Sequence, residues 1–205
     1  ASAVLEKAIR YLPQKFEPSY HRGLSLMSLE RYSDAVAAFT TAISLAPENP
    51  ELWYQKGTGL ARMGQHPSAV SAFEKAIAIR PEDSRSLLGL ARTFVALDKN
   101  KDAVRSFNEI IERYPDDATA WYEKGLALYQ LKQYPESLTA LEKARTLDPD
   151  NNDVLFHLGA THQALEQYSD AVHSYLSLLE RDPARYPAWH ELGMSLAHLD
   201  RQEES

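Results

Sequence analysis

Three arginines, Arg62, Arg85 and Arg92, are the residues best suited by type and spacing to grip an anionic group. Arg85 and Arg92 lie seven apart, two turns of a helix, so they point the same way, and Arg62 can join them from the preceding helical segment. A guanidinium presents a rigid fork of donors that matches a carboxylate, so the trio is a candidate for holding a carboxylate on a ligand. The competing reading pairs these arginines with nearby acids such as Glu82 or Asp83. The histidines suggest no metal: His157 and His162 are five apart and His190 and His198 eight apart. Two imidazoles share a helical face at i, i+4. That leaves His157 with Glu191 across adjacent helices as the only pairing to weigh. Glu112, Asp116 and Asp117 fall at helix ends and turns, where solvation and the helix dipole account for them. There is no G-x-S-x-G, no glycine loop to cradle phosphate and no nucleophile beside a base. The expectation is a chain that is not an enzyme and carries no cofactor and no metal.

Composition narrows the class further. The 205 residues are 44% hydrophobic and 25% charged, ordinary for a soluble folded protein. No apolar run approaches the roughly 18 to 20 residues that span a bilayer. A formal net charge of -7 repels phosphate backbones and anionic lipid, so neither nucleic acid nor membrane is an expected partner. With no cysteine there is no disulfide framework and no thiolate site. The cytoplasm is the default compartment. The opening ASAVLEKAIR lacks the basic flank and apolar core of a signal peptide, and the absence of an initial Met reads as a piece of something longer.

The elements that must position these residues follow a ruler. Pro13, Pro47, Pro81, Pro115, Pro149 and Pro183 fall 34 apart with no insertion, and Gly23, Gly57, Gly125, Gly159 and Gly193 keep the same spacing, with Ala91 in the one gap. A fixed small residue marks a close approach of two helices, and a fixed proline marks a helix that must stop. Between them the apolar spacing is helical. Each period reads as two helices: Pro50 to Met63 carries Trp53, Gly57 and Leu60 on one face, and Pro67 to Ile79 carries Ala69, Phe73, Ala76 and Ile77. Turns such as RYS, GQHP, KQYP and QYS join them, with Ser33 and Ser169 expected as N-caps and Pro67 and Pro135 as first-turn prolines.

This pattern resembles the tetratricopeptide repeat (TPR) signature W-x2-L-G-x2-Y, A-x3-F-x2-A, P. Trp121, Gly125, Leu128, Ala144 and Pro149 meet it, as do Trp189, Leu192, Gly193 and Leu196, and Ala35, Phe39, Ala42 and Pro47. The third repeat departs most, with Leu87 for Trp, Ala91 for Gly and Ile110 for the last Ala. The ruler places complete repeats at 16–49, 50–83, 84–117, 118–151 and 152–185. Residues 1–15 read as the second helix of an earlier repeat, with Leu5, Ala8 and Pro13 in register, and 186–205 as the first helix of a later one. The resemblance implies an all-α fold, a right-handed superhelical solenoid of antiparallel helix pairs forming one array.

It also implies that the first helices line a concave groove. The residue after the Trp position is Tyr20, Tyr54, Leu88, Tyr122, Phe156 and His190, a nearly unbroken stripe of large rings. Four residues on come Leu24, Thr58, Arg92, Leu126, Ala160 and Met194, a mostly small or apolar floor. Such a groove grips an extended or helical peptide, unless the rings mostly pack against neighbouring helices. Two ligand modes of the family do not fit. The Lys and Asn clamp for chaperone C-termini is not reproduced at Tyr20, Leu24, Gln55, Arg85 and Gly89. The asparagine ladder of protein O-glycosyltransferases is replaced by His21, Gln55, Gly89, Glu123, His157 and Glu191.

The expected function is a non-catalytic scaffold that binds a peptide segment or partner protein in the groove through Tyr20, Tyr54, Arg62, Arg85, Leu88, Arg92, Tyr122, Leu126, Phe156 and His190. The alternatives are the substrate-recruiting or regulatory arm of a larger enzyme, or an assembly spacer. The apolar face of Trp189, Leu192, Gly193 and Leu196 complements the segment of Leu5, Ala8 and Ile9, so head-to-tail self-association through the incomplete terminal repeats is a further expectation.

Overall fold

Eleven α-helices make up nearly all of the described residues, 15–203, of the computed structural model, and no strand occurs among those residues. They are α1 (Glu17–Ser28), α2 (Tyr32–Leu45), α3 (Pro50–Arg62), α4 (His66–Ile79), α5 (Ser84–Ala96), α6 (Asn100–Arg113), α7 (Ala118–Gln130), α8 (Tyr134–Leu147), α9 (Asn152–Ala164), α10 (Tyr168–Arg181) and α11 (Tyr186–Glu203). The segment with Leu5, Ala8 and Pro13 lies outside the described residues. Two compact units divide inside α6, one running to Ser106 and the other from Phe107. The first holds the pairs α1/α2 and α3/α4 with α5, the second α7/α8 and α9/α10 with α11.

The capping chemistry sets where each helix begins. Asn49 and Asn151 accept the N–H of Glu51 and Asp153 at 3.1 Å, and Asp117 accepts that of Ala120 at 3.0 Å. Pro50, Pro67 and Pro135 stand in first turns, where a missing N–H costs nothing. Ser33 and Ser169 are not N-caps. They lie inside first turns that begin after Arg31 and Gln167, which make no side-chain cap bond. The turn is too short for a separate cap. Gln167 closes α9 by donating its N–H to His162 and opens α10 by accepting the N–H of Ala171. The same double duty falls to Arg31, Gln65, Lys99 and Gln133.

That economy requires a left-handed residue just before each of these five. Glu30, Gly64, Asp98, Lys132 and Glu166 have φ between 57° and 73°. Each donates to a carbonyl three residues back while its successor reaches five back, as Lys132 to Tyr129 at 2.8 Å and Gln133 to Leu128 at 3.0 Å. This is the Schellman closure, which favours glycine. Only Gly64 supplies one.

Packing centres on a bulky side chain from each second helix. Phe39, Phe73, Phe107, Leu141 and Tyr175 recur 34 apart and are all at most 2% exposed. A Cβ on Gly125 would stand 2.7 Å from Leu141 Cγ, and one on Gly159 would stand 2.5 Å from Tyr175 Cε1. These glycines are there for proximity. Gly193 of α11, in the same register, has nothing within 4 Å of that point among the described residues.

The tryptophans sit at the edge of this packing. Trp53 and Trp121 are only half-buried, and the sealed residues are the ones before them, Leu52 and Ala120 at 0% exposure. Each indole packs on the core from its rim and donates to the preceding stop proline: Trp53 Nε1 to Pro47 O at 2.7 Å, Trp121 to Pro115 at 2.8 Å and Trp189 to Pro183 at 3.0 Å. Lys56 and Lys124 lie over the first two rings, at 5.5 and 4.9 Å from the centroids.

Trp53→Ala should therefore cost about 2 to 3 kcal/mol in urea unfolding, below the 3 to 5 of a fully buried ring, and Trp53→Phe about 1 for the lost hydrogen bond. At the turns, Lys132→Gly should raise stability by about 1 kcal/mol, and Gly64→Ala should lower it by a similar amount. A destabilised Lys132→Gly would contradict the left-handed assignment.

Candidate functional site

In the first unit, helices α3, α4 and α5 enclose a cavity of about 350 Å³. Tyr54 and Arg62 reach it from α3, and Arg85, Leu88 and Arg92 from α5, so five of the residues singled out from the sequence line it together. Phe73, the sealed side chain of α4, forms part of its back, joined by His66. The register explains the convergence. Tyr54 and Leu88 hold equivalent positions on neighbouring first helices, and Arg92 stands one turn beyond Leu88.

Arg85 does not face a ligand alone. Its Nη2 donates to Glu51 Oε2 at 2.7 Å, its Nε donates to Asp83 Oδ1 at 3.2 Å, and its guanidinium lies 4.8 Å from the Tyr54 ring centroid. The hydrogen bond to Glu51 holds its pKa above the usual arginine value. Burial opposes ionisation of Asp83, yet hydrogen bonds from Ser86 and Arg85 outweigh it and keep the carboxyl below its ordinary range. Glu51 Oε1 meanwhile accepts from Gln55 at 2.8 Å. Tyr20, on α1, packs on Phe39 at 6.2 Å between centroids, and burial followed by the Glu51 charge pushes its phenol up. A ladder of Tyr20, Glu51 and Arg85 thus crosses α1, α3 and α5. Arg62 is exposed and its guanidinium makes no hydrogen bond or ion pair with the described residues.

The second unit carries a parallel arrangement. Phe156 packs on Tyr175 at 5.9 Å, and Arg185 lies 5.4 Å over the Phe156 ring while donating to Asp153 Oδ1 at 2.5 Å. Tyr122 meets His157 at 5.8 Å. Burial raises the Tyr122 phenol to about 12, with the nearby Asp153 charge adding to it and Arg185 opposing. Burial lowers His157 below the usual imidazole value. Leu126 is half-buried on α7, and His190 is exposed with its Nδ1 3.3 Å from Glu191 Oε1. Among the described residues no group of three or more histidines and acids could hold a metal. The stripe is therefore double-sided. Tyr20, Tyr54, Tyr122 and Phe156 each rest an edge on a buried core cluster and stay partly exposed.

Glu51, Asp153 and Arg185 escaped the sequence reading, although Glu51 had a signal. It stands 34 residues before Arg85, at the same point of the repeat, so the two occupy adjacent rungs on neighbouring first helices.

Models of the tetratricopeptide repeat match residues 20–84, 54–97 and 88–152, and a second such model matches 128–196. The chain belongs to the tetratricopeptide repeat family. No curated protein matches it in sequence. Among solved structures, residues 41 to the end of MamA from Desulfovibrio magneticus RS-1 superpose with a TM-score of 0.79 at 22% identity, covering 83% of this chain and 96% of that one. YrrB, described as a TPR protein with an unusual peptide-binding site, gives 0.78 at 22% identity, covering 93% and 98%. A tetratricopeptide repeat protein from Parabacteroides merdae gives 0.81 at 15%, covering 92% and 75%. At these identities the likeness is one of fold. As a TPR chain it shares a framework generally used for protein interaction, and no helix among its described residues is long and apolar enough to cross a membrane.

The late ionisation of Tyr122 has a measurable sign. An unfolded phenol deprotonates near its ordinary value of 10 and the folded one near 12, so stability present below pH 10 should decline as pH rises toward 12. Because the ring is partly solvated, the share from Tyr122 should not exceed about 1 to 2 kcal/mol. Tyr122→Phe should flatten that part of the decline in denaturant titrations across the window; an unchanged slope would contradict the assignment.

Proposed function

We propose that this TPR chain is a non-catalytic scaffold that holds a peptide segment of a partner protein against the first-helix face of its first unit. The observation that carries the reading is the cavity of about 350 Å³ between α3, α4 and α5, which is large enough to admit side chains and has a mixed apolar and donor-bearing wall. Tyr20, Tyr54 and Leu88 offer the apolar stripe, and Arg62 and Arg92 flank the cavity. Tyr122, Leu126, Phe156 and, at its exposed end, His190 provide a second stretch in the other unit. The description of YrrB as carrying an unusual peptide-binding site supports a peptide ligand in this fold. The net charge of -7 argues against nucleic acid and anionic membrane surfaces, and a cytoplasmic location accords with a Cys-free chain.

The rung of Tyr54, Arg85 and Glu51 is held before any ligand arrives, which lowers the ordering cost of binding. Arg85 is stacked on Tyr54 and tied to Glu51, so the ring beneath it is fixed. A random peptide library displayed on phage and panned against the chain should return ligands of roughly micromolar Kd, about -8 kcal/mol. Tyr54→Ala should weaken them about tenfold, about 1.4 kcal/mol, with the helical circular dichroism unchanged. Ligands that bind Tyr54→Ala as tightly as the parent would remove this face from consideration.

A further inference from the structure

We propose that the α3–α4–α5 cavity is a seat for an acidic side chain of the bound peptide, gripped by Arg62; the proposal rests on the peptide-binding reading above and names its ligand chemistry. The cavity wall holds Arg62, Arg85 and Arg92 and no aspartate or glutamate, within a chain whose net charge is -7. Glu51 and Asp83 answer the charge of Arg85 from outside the wall, so the exposed charge that favours an acidic visitor is that of Arg62.

The hydrogen-bonding inventory sharpens the choice. Thr58 and Thr93 also line the cavity, but their hydroxyls donate to the carbonyls of Tyr54 at 3.0 Å and Gly89 at 2.6 Å. Their protons are committed, and the polar groups left to a visitor are the Arg62 guanidinium, which wants an anionic acceptor, and the His66 ring, whose buried Nδ1 has no partner. Arg85 is not the gripping residue, because Glu51 and Asp83 occupy its Nη2 and Nε. Its role is to brace Tyr54 and add charge. Arg62, exposed at the rim with no partner for its guanidinium among the described residues, is the cation most open to a new carboxylate, and Arg92, on α5, lines the same cavity. Tyr54, Leu88 and Phe73 line the same space, so the methylenes that carry the carboxylate have an apolar seat beneath the charge.

A carboxylate can come from a side chain or from a chain terminus, and the proposal is for the side chain. The test uses immobilised pools of short peptides, amidated at the C-terminus and degenerate except at a central Glu, Gln or Lys, with the full chain applied in low and in higher salt. The Glu pool should retain about ten times more protein than the Gln pool, and the difference should shrink with salt. Arg62→Ala should abolish the preference of the Glu pool over the Gln pool with thermal unfolding unchanged, and Arg62→Lys should restore part of it; a preference that survives Arg62→Ala would overturn the assignment of Arg62. Equal retention on Glu and Gln pools would overturn the acidic seat and leave peptide binding standing. A preference that appears only with free C-terminal carboxylates would overturn the side-chain source. Loss of retention on every pool relative to bare resin would overturn the peptide-binding reading itself, and this inference with it.

Discussion

A large side chain pressed against bare backbone is the contact on which the other features depend. Phe73 over Gly57, Leu141 over Gly125 and Tyr175 over Gly159 bring paired helices closer than any side chain on the glycine would allow. Once the approach is that close, the rotation of the first helix is no longer free, because ridges must enter grooves. The residue four before the glycine is turned to the linker, where Trp53 and Trp121 hydrogen-bond the stop prolines. The residue three before it is turned to the opposite edge, where Tyr54 and Tyr122 lie half-exposed. Core packing therefore decides which ring faces outward, without any separate instruction for a binding face.

A repeat of fixed length turns a linear spacing into a lateral one. Glu51 and Arg85 are remote in sequence, yet they occupy the same point on successive first helices and meet at 2.7 Å. Arg185 with Asp153 does nearly the same in the other unit. As partly exposed pairs these contribute little to stability alone. Their larger effect is orientation. A guanidinium held by carboxylates and laid over a ring restricts both, as in Arg85 over Tyr54 and Arg185 over Phe156.

The helices, their period and the sealed residues Phe39 and Phe73 were legible in the sequence because periodic burial leaves a periodic trace. So was the convergence of Arg62, Arg85 and Arg92, since helical spacing alone aligns two of them. Three features were not legible, for different reasons. Ser33 and Ser169 look like caps by residue type, but a turn whose last residue ends one helix and begins the next has no place for one. The left-handed positions are hidden because Glu30, Asp98, Lys132 and Glu166 adopt φ near 60° under constraint from both flanking helices, with no glycine to announce it. A large ring at a fixed position is compatible with a core or a rim site, and the indole N–H that bonds the stop proline is what draws these tryptophans to the rim.

Departures from the repeat pattern carry their own logic. Where Leu155 replaces a tryptophan, Pro149 O receives Arg181 Nη1 at 2.5 Å in place of an indole. Where Tyr175 replaces phenylalanine, its buried hydroxyl donates to Gln163 Oε1 at 2.8 Å, and Gln163 Nε2 donates in turn to Ser195 Oγ and the Glu191 carbonyl. Burial raises the Tyr175 phenol, so the relay carries a neutral hydroxyl. Both departures are compensated on the spot and serve packing. The repeat with Leu87 and Ala91 is different in kind: the same helix also replaces the stripe ring with Leu88 and introduces Arg85 and Arg92, and these three replacements open onto the cavity. A smaller residue in the stripe leaves room, and two cations give that room a charge. Beside the departures at Leu155 and Tyr175, which are repaired internally, an irregularity that creates space and charge together is the one with no internal use.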